Sequence, residues 1–218
     1  MGCDIHLFVE VKGKDGKWRI RRKSEEVKIG DSFSYKRSLF DPGRNYDLFA
    51  ILANVRNGFG FAGVKTGDGF IPMSKPKGIP DDASDYYMKK AEDYGCDGHS
   101  HSWHTLKDLL EFPWKDKTAT IQGVVDLATY EKWKAEGTLF PTSWCGGVSG
   151  GGIKVLDESE YPNIEKGAKN IYLKCRWVAR YYDTCEYFMD TILPRLMALA
   201  GSKKPNPEKV RIVFFFDN

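Results

Sequence analysis

The sequence is poor in histidine, has no long apolar run, no paired-cysteine motif and little net charge, and each scarcity closes off a class of protein. Only four histidines occur in 218 residues. No apolar stretch approaches the roughly 20 residues that a membrane-crossing helix needs, so no membrane partner is expected. The five cysteines, Cys3, Cys96, Cys145, Cys175 and Cys185, show no C-x-x-C spacing, which argues against a zinc ribbon and against a disulfide scaffold. Their odd number, with no signal-peptide pattern, points to a reducing, cytoplasmic setting. The 33 basic and 30 acidic residues leave a formal net charge of +3, too balanced to signal nucleic-acid binding through the overall field. The glycine-rich segment 141–152 lacks the Gly-Lys-Ser or Gly-Lys-Thr ending of a Walker loop and reads as a flexible lid or a linker. Met1-Gly2-Cys3 is followed by histidine at position 6, where an acylation signal carries serine or threonine.

Hydrophobic residues make up 41% and charged residues 29% of the chain, ordinary for a globular protein, while the aromatic share of 14% is high. Those rings require a large core or a stacking surface. The length fits one domain, residues 1–218. Residues 3–12 alternate, with Cys3, Ile5, Leu7, Val9 and Val11 on one face and Asp4, His6, Phe8 and Glu10 on the other. The spacing predicts a half-buried strand whose second face looks into a cleft or solvent. The turn Gly13-Lys14-Asp15-Gly16 then makes 3–23 a hairpin.

Residues 46–56 predict a helix with Leu48, Ile51, Leu52 and Val55 on one face. A glycine-rich excursion follows it from residue 57 to 80. Thr105-Leu106-Lys107-Asp108 has the form of a capping box before a further helix. A strand is predicted over 119–125, a helix over 126–136 stopped by Gly137, a strand over 171–182, a helix over 184–200 kinked at Pro194, and a strand over 210–216. Strand, helix, strand at the C-terminal end predicts one right-handed βαβ crossover. The expected fold class is α+β, a mixed and mostly antiparallel sheet with an N-terminal hairpin and covering helices.

The histidines fall in two clusters, His6 in Asp4-Ile5-His6 and His99, His101 and His104 in Gly98-His99-Ser100-His101-Ser102-Trp103-His104. Residues two apart on an extended chain share a side, so each cluster can present a chelating pair. If the clusters meet, Asp4, His6, His99 and His101 form a nitrogen and oxygen set suited to zinc or manganese. Such a metal would activate water for hydrolysis, with His104 and Asp47 moving protons. Arg44, Asn45 and Tyr46, before a helix, suit contact with a phosphate, and Trp103 offers a ring to stack on a substrate. The alternative for each is structural: a satisfied histidine, an Asn cap, a surface arginine.

Asp4-Ile5-His6 and Gly98-His99-Ser100-His101 resemble the Asp-x-His and Gly-His-x-His motifs of calcineurin-like metallophosphoesterases, which implies metal ligation. The chain departs from that pattern, with no histidine between His6 and His99 and with Gly30-Asp31 followed by Ser-Phe-Ser-Tyr. That puts the family's dinuclear centre in doubt and leaves a single metal as the expectation. A broader resemblance is to uncharacterised bacteriophage and prophage proteins. It rests on the start Met-Gly-Cys-Asp-Ile-His, on Arg44 to Gly58, on His99-Ser100-His101-Ser102-Trp103 and on Val210 to Asn218, and it implies phage origin and a bacterial host cytoplasm. Three functions are compatible with these residues. One is a metal-dependent hydrolase of a small phosphorylated or nucleotide-like substrate. The second is a non-catalytic protein that binds and sequesters a host nucleotide signal, and the third a structural or partner-binding protein.

Overall fold

The computed structural model describes residues 2–29, 33–165 and 167–218; Gly30 and Asp31, weighed above against the phosphoesterase pattern, lie outside them. The chain opens with β1 (Asp4–Lys12) and β2 (Trp18–Ile20), the expected hairpin, and continues into a second hairpin, β3 (Ser24–Ile29) and β4 (Phe33–Ser38). Then come α1 (Tyr46–Ala53), α2 (Asp85–Tyr94), β5 (His99–Thr105), α3 (Leu106–Glu111), β6 (Thr118–Asp126) and α4 (Leu127–Glu136). The remainder is β7 (Lys154–Asp157), β8 (Ile171–Arg180), α5 (Tyr181–Thr184), α6 (Leu193–Leu199) and β9 (Val210–Asp217). The fold is α+β with mostly antiparallel sheets.

The larger sheet has the order β2-β1-β9-β5, with every neighbouring pair antiparallel. The second has the order β6-β8-β7, antiparallel between β6 and β8 and parallel between β7 and β8. The expected C-terminal crossover is therefore not formed. β8 and β9 belong to different sheets, and β9 instead fills the gap between β1 and β5. Its seven residues from Val210 to Phe216 are all buried, as befits an interior strand covered on both faces. The helix between them is also interrupted. Pro194 sits in the first turn of α6 and cannot donate to the carbonyl four residues earlier, and the chain ahead of it widens into a π-type turn over Phe188–Ile192.

One main core joins both sheets and includes Leu7 and Phe214 from the first, Ile121 and Leu173 from the second, and α1. Leu48 to Ala53 are at most 1% exposed, so α1 is buried on all sides rather than along one stripe. Asn45 caps it, accepting from the N–H groups of Asp47 and Leu48 at 3.0 Å each. Asn54 closes it in a left-handed conformation (φ 59°). The second face of β1 opens into a cleft at its start, lined by Asp4, His6, Phe8 and Arg44, and is covered further along. It carries a smaller cluster, Tyr87, Val213 and Phe215, with Phe8, Tyr94 and Trp103 packed against it, and α2 contributes two of those rings.

That second face also holds an ion pair that the sequence pattern did not mark. Glu10 and Arg211 are cross-strand partners in the β1–β9 register, with side chains 0% and 3% exposed and Nε to Oε2 at 2.7 Å. The remaining oxygen of Glu10 accepts from the Ser84 N–H at 2.8 Å. Arg211 donates further to the Asp82 carboxylate and carbonyl at 2.7 and 3.1 Å, with the Trp18 ring 4.0 Å beneath its guanidinium carbon. Both oxygens of Glu10 and all three nitrogens of Arg211 have a partner, the condition under which a buried ion pair persists.

Candidate functional site

The three clustered histidines ride on β5, which leads directly into α3. Thr105 ends the strand and forms the expected capping box with Asp108. The strand is not regular: its register against β9 slips between His99 and Ser102, and Ser100 adopts φ 54°. A bulge of this kind inserts a residue and re-aims the side chains beside it. His99 consequently stacks on Phe216 and His101 tilts against Phe215. Because successive residues of β9 face opposite sides, His99 and His101 lie on opposite faces of the sheet, which overturns the expected same-sided pair.

Each of the other expected ligands has a separate environment. Asp4 receives a two-pronged contact from Arg44, Nε and NH2 at 2.8 and 2.5 Å, and this bond holds its carboxyl below the usual range. His6 stacks between Tyr94 and Phe215 at 4.4 and 4.8 Å. Its Nε2 lies 3.2 Å from Asp217, yet the geometry leaves that nitrogen without a hydrogen bond among the described residues. Since β1 and β5 flank β9, the backbones that carry His6 and His101 stand roughly 10 Å apart, with Phe215 touching both rings. Among the described residues no three His, Cys, Asp or Glu side chains are grouped closely enough to hold a metal ion. Asp4, His6, His99 and His101 are thus not gathered into one ligand set in this arrangement.

His101 and His104 have structural partners. The Tyr87 hydroxyl donates to the Phe214 carbonyl at 3.0 Å and meets His101 Nδ1 at 2.9 Å, an arrangement that makes His101 Nδ1–H the donor to Tyr87. His104, 1% exposed, donates through Nε2 to the Leu52 carbonyl in the last turn of α1 at 2.8 Å, and burial pushes its pKa down to about 4. It is a neutral clasp between β5 and α1. Asn45, beyond its cap, donates to the Thr184 carbonyl at 2.8 Å. The Tyr46 hydroxyl accepts from the Cys3 N–H at 3.3 Å. Trp103 is covered by the Lys77 ammonium, 4.4 Å from its ring centre. Asp47, set apart from all four histidines, lines a different cavity with Trp144 and Trp177. Burial raises its pKa to about 7.

The polar groups that do converge lie where α1 ends. Asn54, Val55, Arg56, His99, Ser100 and Asn218 line a shallow cleft of about 530 Å³. Three of these residues, Asn54, Arg56 and Ser100, have φ between 53° and 59°, and left-handed backbone at non-glycine residues marks functional sites more often than ordinary surface. Arg56 donates to the Asn218 side-chain oxygen at 3.1 Å, which fixes the amide so that its NH2 faces His99 Nε2, at 3.1 Å. That nitrogen is then the acceptor, leaving Nδ1–H to donate to the Ser100 hydroxyl at 2.9 Å. Burial also lowers the His99 pKa, which keeps the ring neutral at pH 7. The relay runs one way, from Arg56 through Asn218 and His99 to Ser100, and it frees the Ser100 O–H to donate into the cleft. His99 was expected at a site from the sequence; Asn54, Arg56, Ser100 and Asn218 were not, and the only local hint is the helix-ending Asn54-Val55-Arg56-Asn57-Gly58 run.

The glycine-rich segment 141–152 is docked rather than free over part of its length. Cys145 pairs with Val124 of β6, and Gly146 and Gly147 wall a cavity of about 560 Å³ together with Lys65, Lys174 and Arg176. Those cations are already matched, Lys174 with Asp157 at 3.3 Å and both Arg176 and Lys65 with Asp68 at 2.6 and 3.9 Å. No helix of the described residues is long and apolar enough to cross a membrane. No family model, curated protein or solved structure matches the chain.

Proposed function

We propose that this protein binds a small phosphorylated, nucleotide-like molecule in the cleft between the end of α1 and the start of β5. The observation that carries the reading is the one-way relay ending on Ser100, since an oxyanion needs donors aimed at it and this chain of bonds supplies a hydroxyl beside a guanidinium. A second support is topological. The residue before β1, the end of α1, the start of β5 and the residue after β9 come together at this cleft, Gly2 accepting from Arg56 at 3.4 Å.

The reading is of binding rather than turnover. His99 has its basic nitrogen occupied by Asn218 and its N–H directed at Ser100, so it is not placed to take a proton from that hydroxyl. The test is thermal shift and titration calorimetry against inorganic phosphate and a panel of linear and cyclic nucleotides, with and without chelator. At least one phosphorylated ligand is expected to stabilise the protein, unaffected by chelator and without product formation. Arg56→Ala and Ser100→Gly should each weaken it by about tenfold or more, the worth of a hydrogen bond to a charged group. A flat panel, undiminished binding in both variants, or chelator-sensitive hydrolysis would each overturn the proposal.

A further inference from the structure

At the opposite end of α1, Asp47 lines a cavity of about 230 Å³ with Phe140, Trp144, Trp177, Ile121 and Asp183. The two indoles meet edge to face, centroids 5.2 Å apart at 73°, and so form two walls of a corner. Trp177 is buried, while Phe140 and Trp144 are each 38% exposed and give the corner an open side. Asp183 is committed elsewhere, its carboxylate clamped by Arg180 at 2.7 and 2.8 Å. Asp47 is different: partly buried, it has no hydrogen-bond or ion-pair partner for its carboxylate among the described residues, and no lysine or arginine lines the cavity. An unmatched carboxylate inside an aromatic corner has the chemistry that selects a weakly hydrated cation, which gains from the ring faces and from the charge together.

We propose that this cavity is a binding site for an organic cation of the alkylammonium class, with Asp47 as counter-charge and Trp144 and Trp177 as the aromatic walls. The site is independent of the phosphate cleft, about a helix length away, and each can fail without the other. The groups that face Asp47 also set its pH response. Asp183 is kept ionised by Arg180, and the Cys185 thiol is pushed upward by burial and stays protonated. Asp47, raised to about 7, is then the group that titrates near neutrality.

The experiment titrates the full chain with choline and with 3,3-dimethylbutanol, its uncharged isostere, by calorimetry at pH 6 and pH 8. Choline is expected to bind and the alcohol not to. Choline affinity should be several-fold higher at pH 8, where the carboxylate is ionised. Asp47→Asn and Trp144→Leu should each abolish choline binding, and a cooperative thermal transition in either variant establishes that it is folded. If Asp47→Asn does not fold, Trp144→Leu at an open position decides the matter. No choline binding, equal binding of the alcohol, or choline affinity unchanged in a folded variant would overturn the proposal.

Discussion

The two faces of the four-stranded sheet are built from one tripeptide, Phe214-Phe215-Phe216, and they achieve burial by different means. Phe214 and Phe216 turn toward α1 and the main core, where Phe216 meets Phe49 at 5.1 Å and the neighbours are almost all aliphatic or aromatic. Phe215 turns toward α2, where its neighbours are His6, His101, Tyr87 and Tyr94, and where the Glu10–Arg211 pair lies buried on the same sheet. On the first face the stabilisation is area removed from water, non-directional and cumulative. On the second it depends on directed bonds, which specify a register but leave a large penalty when one partner is lost.

The largest expected effect separates these two kinds of burial. Arg211→Ala strands the Glu10 carboxylate and should cost about 3–5 kcal/mol, read as a lower urea midpoint. Phe214→Ala on the other face should cost a similar amount, about 3–5 kcal/mol. The contrast is in rescue: adding Glu10→Met to an Arg211→Met protein is expected to recover most of the loss, because both charges are then gone. Additive losses from those two substitutions would break the comparison.

A smaller effect shows that the dry face has titrating groups of its own, one at each end of α1. His104, with a pKa near 4 against 6.5 when unfolded, is protonated first in the unfolded chain. Its contribution is complete above about pH 6.5 and is lost as pH falls toward 4, roughly 3 kcal/mol in all. His99 and His101, also shifted down by burial, act in the same direction. Asp47 has the opposite sign. Its pKa is raised from 3.8 to about 7, so its stabilising share is complete below about pH 4 and is lost as pH rises to 7. Between pH 4.5 and 6.5 the two slopes oppose each other. Relative to the parent, urea midpoints across that interval should therefore rise more steeply with pH in Asp47→Asn and less steeply in His104→Asn. Unchanged slopes in both variants would remove these groups from the account.

The smallest effects concern the two ends of β5. Thr105→Ala removes one half of the capping box and should cost about 1 kcal/mol. Ser100→Gly relieves a left-handed serine and should gain up to about 1 kcal/mol while removing the hydroxyl that ends the relay. A variant that is both more stable and unable to bind phosphate would tie the bulge to function rather than to folding.

How much of this was legible in the sequence follows the range of the forces involved. The first hairpin, the Thr105 cap and the Gly137 stop are local, set within a few residues by turn and cap chemistry, and they lie where the pattern placed them. Asn45 likewise acts as the cap that its position before a helix allows. The register of β9 between β1 and β5 depends on pairings up to 213 residues apart, such as Asp4 with Asp217, and no local periodicity encodes it. The same long-range pairing put Arg211 opposite Glu10. The Ser100 bulge was hidden for a different reason: alternating His-Ser-His-Ser gives no apolar phase by which a one-residue slip would show. That slip is what turns His99 and His101 to opposite sides.

The position of β9 has a consequence for how the molecule is made. The long partner of β1 is the segment beyond residue 209, so once synthesised β1 has only the short β2 to pair with until the chain has been extended past that point. Closing so large a loop carries an entropic cost that nearby contacts do not repay early. The four-stranded sheet, and the cleft at its edge, should therefore be the last parts of the molecule to assemble, after the β6–β8 unit has formed.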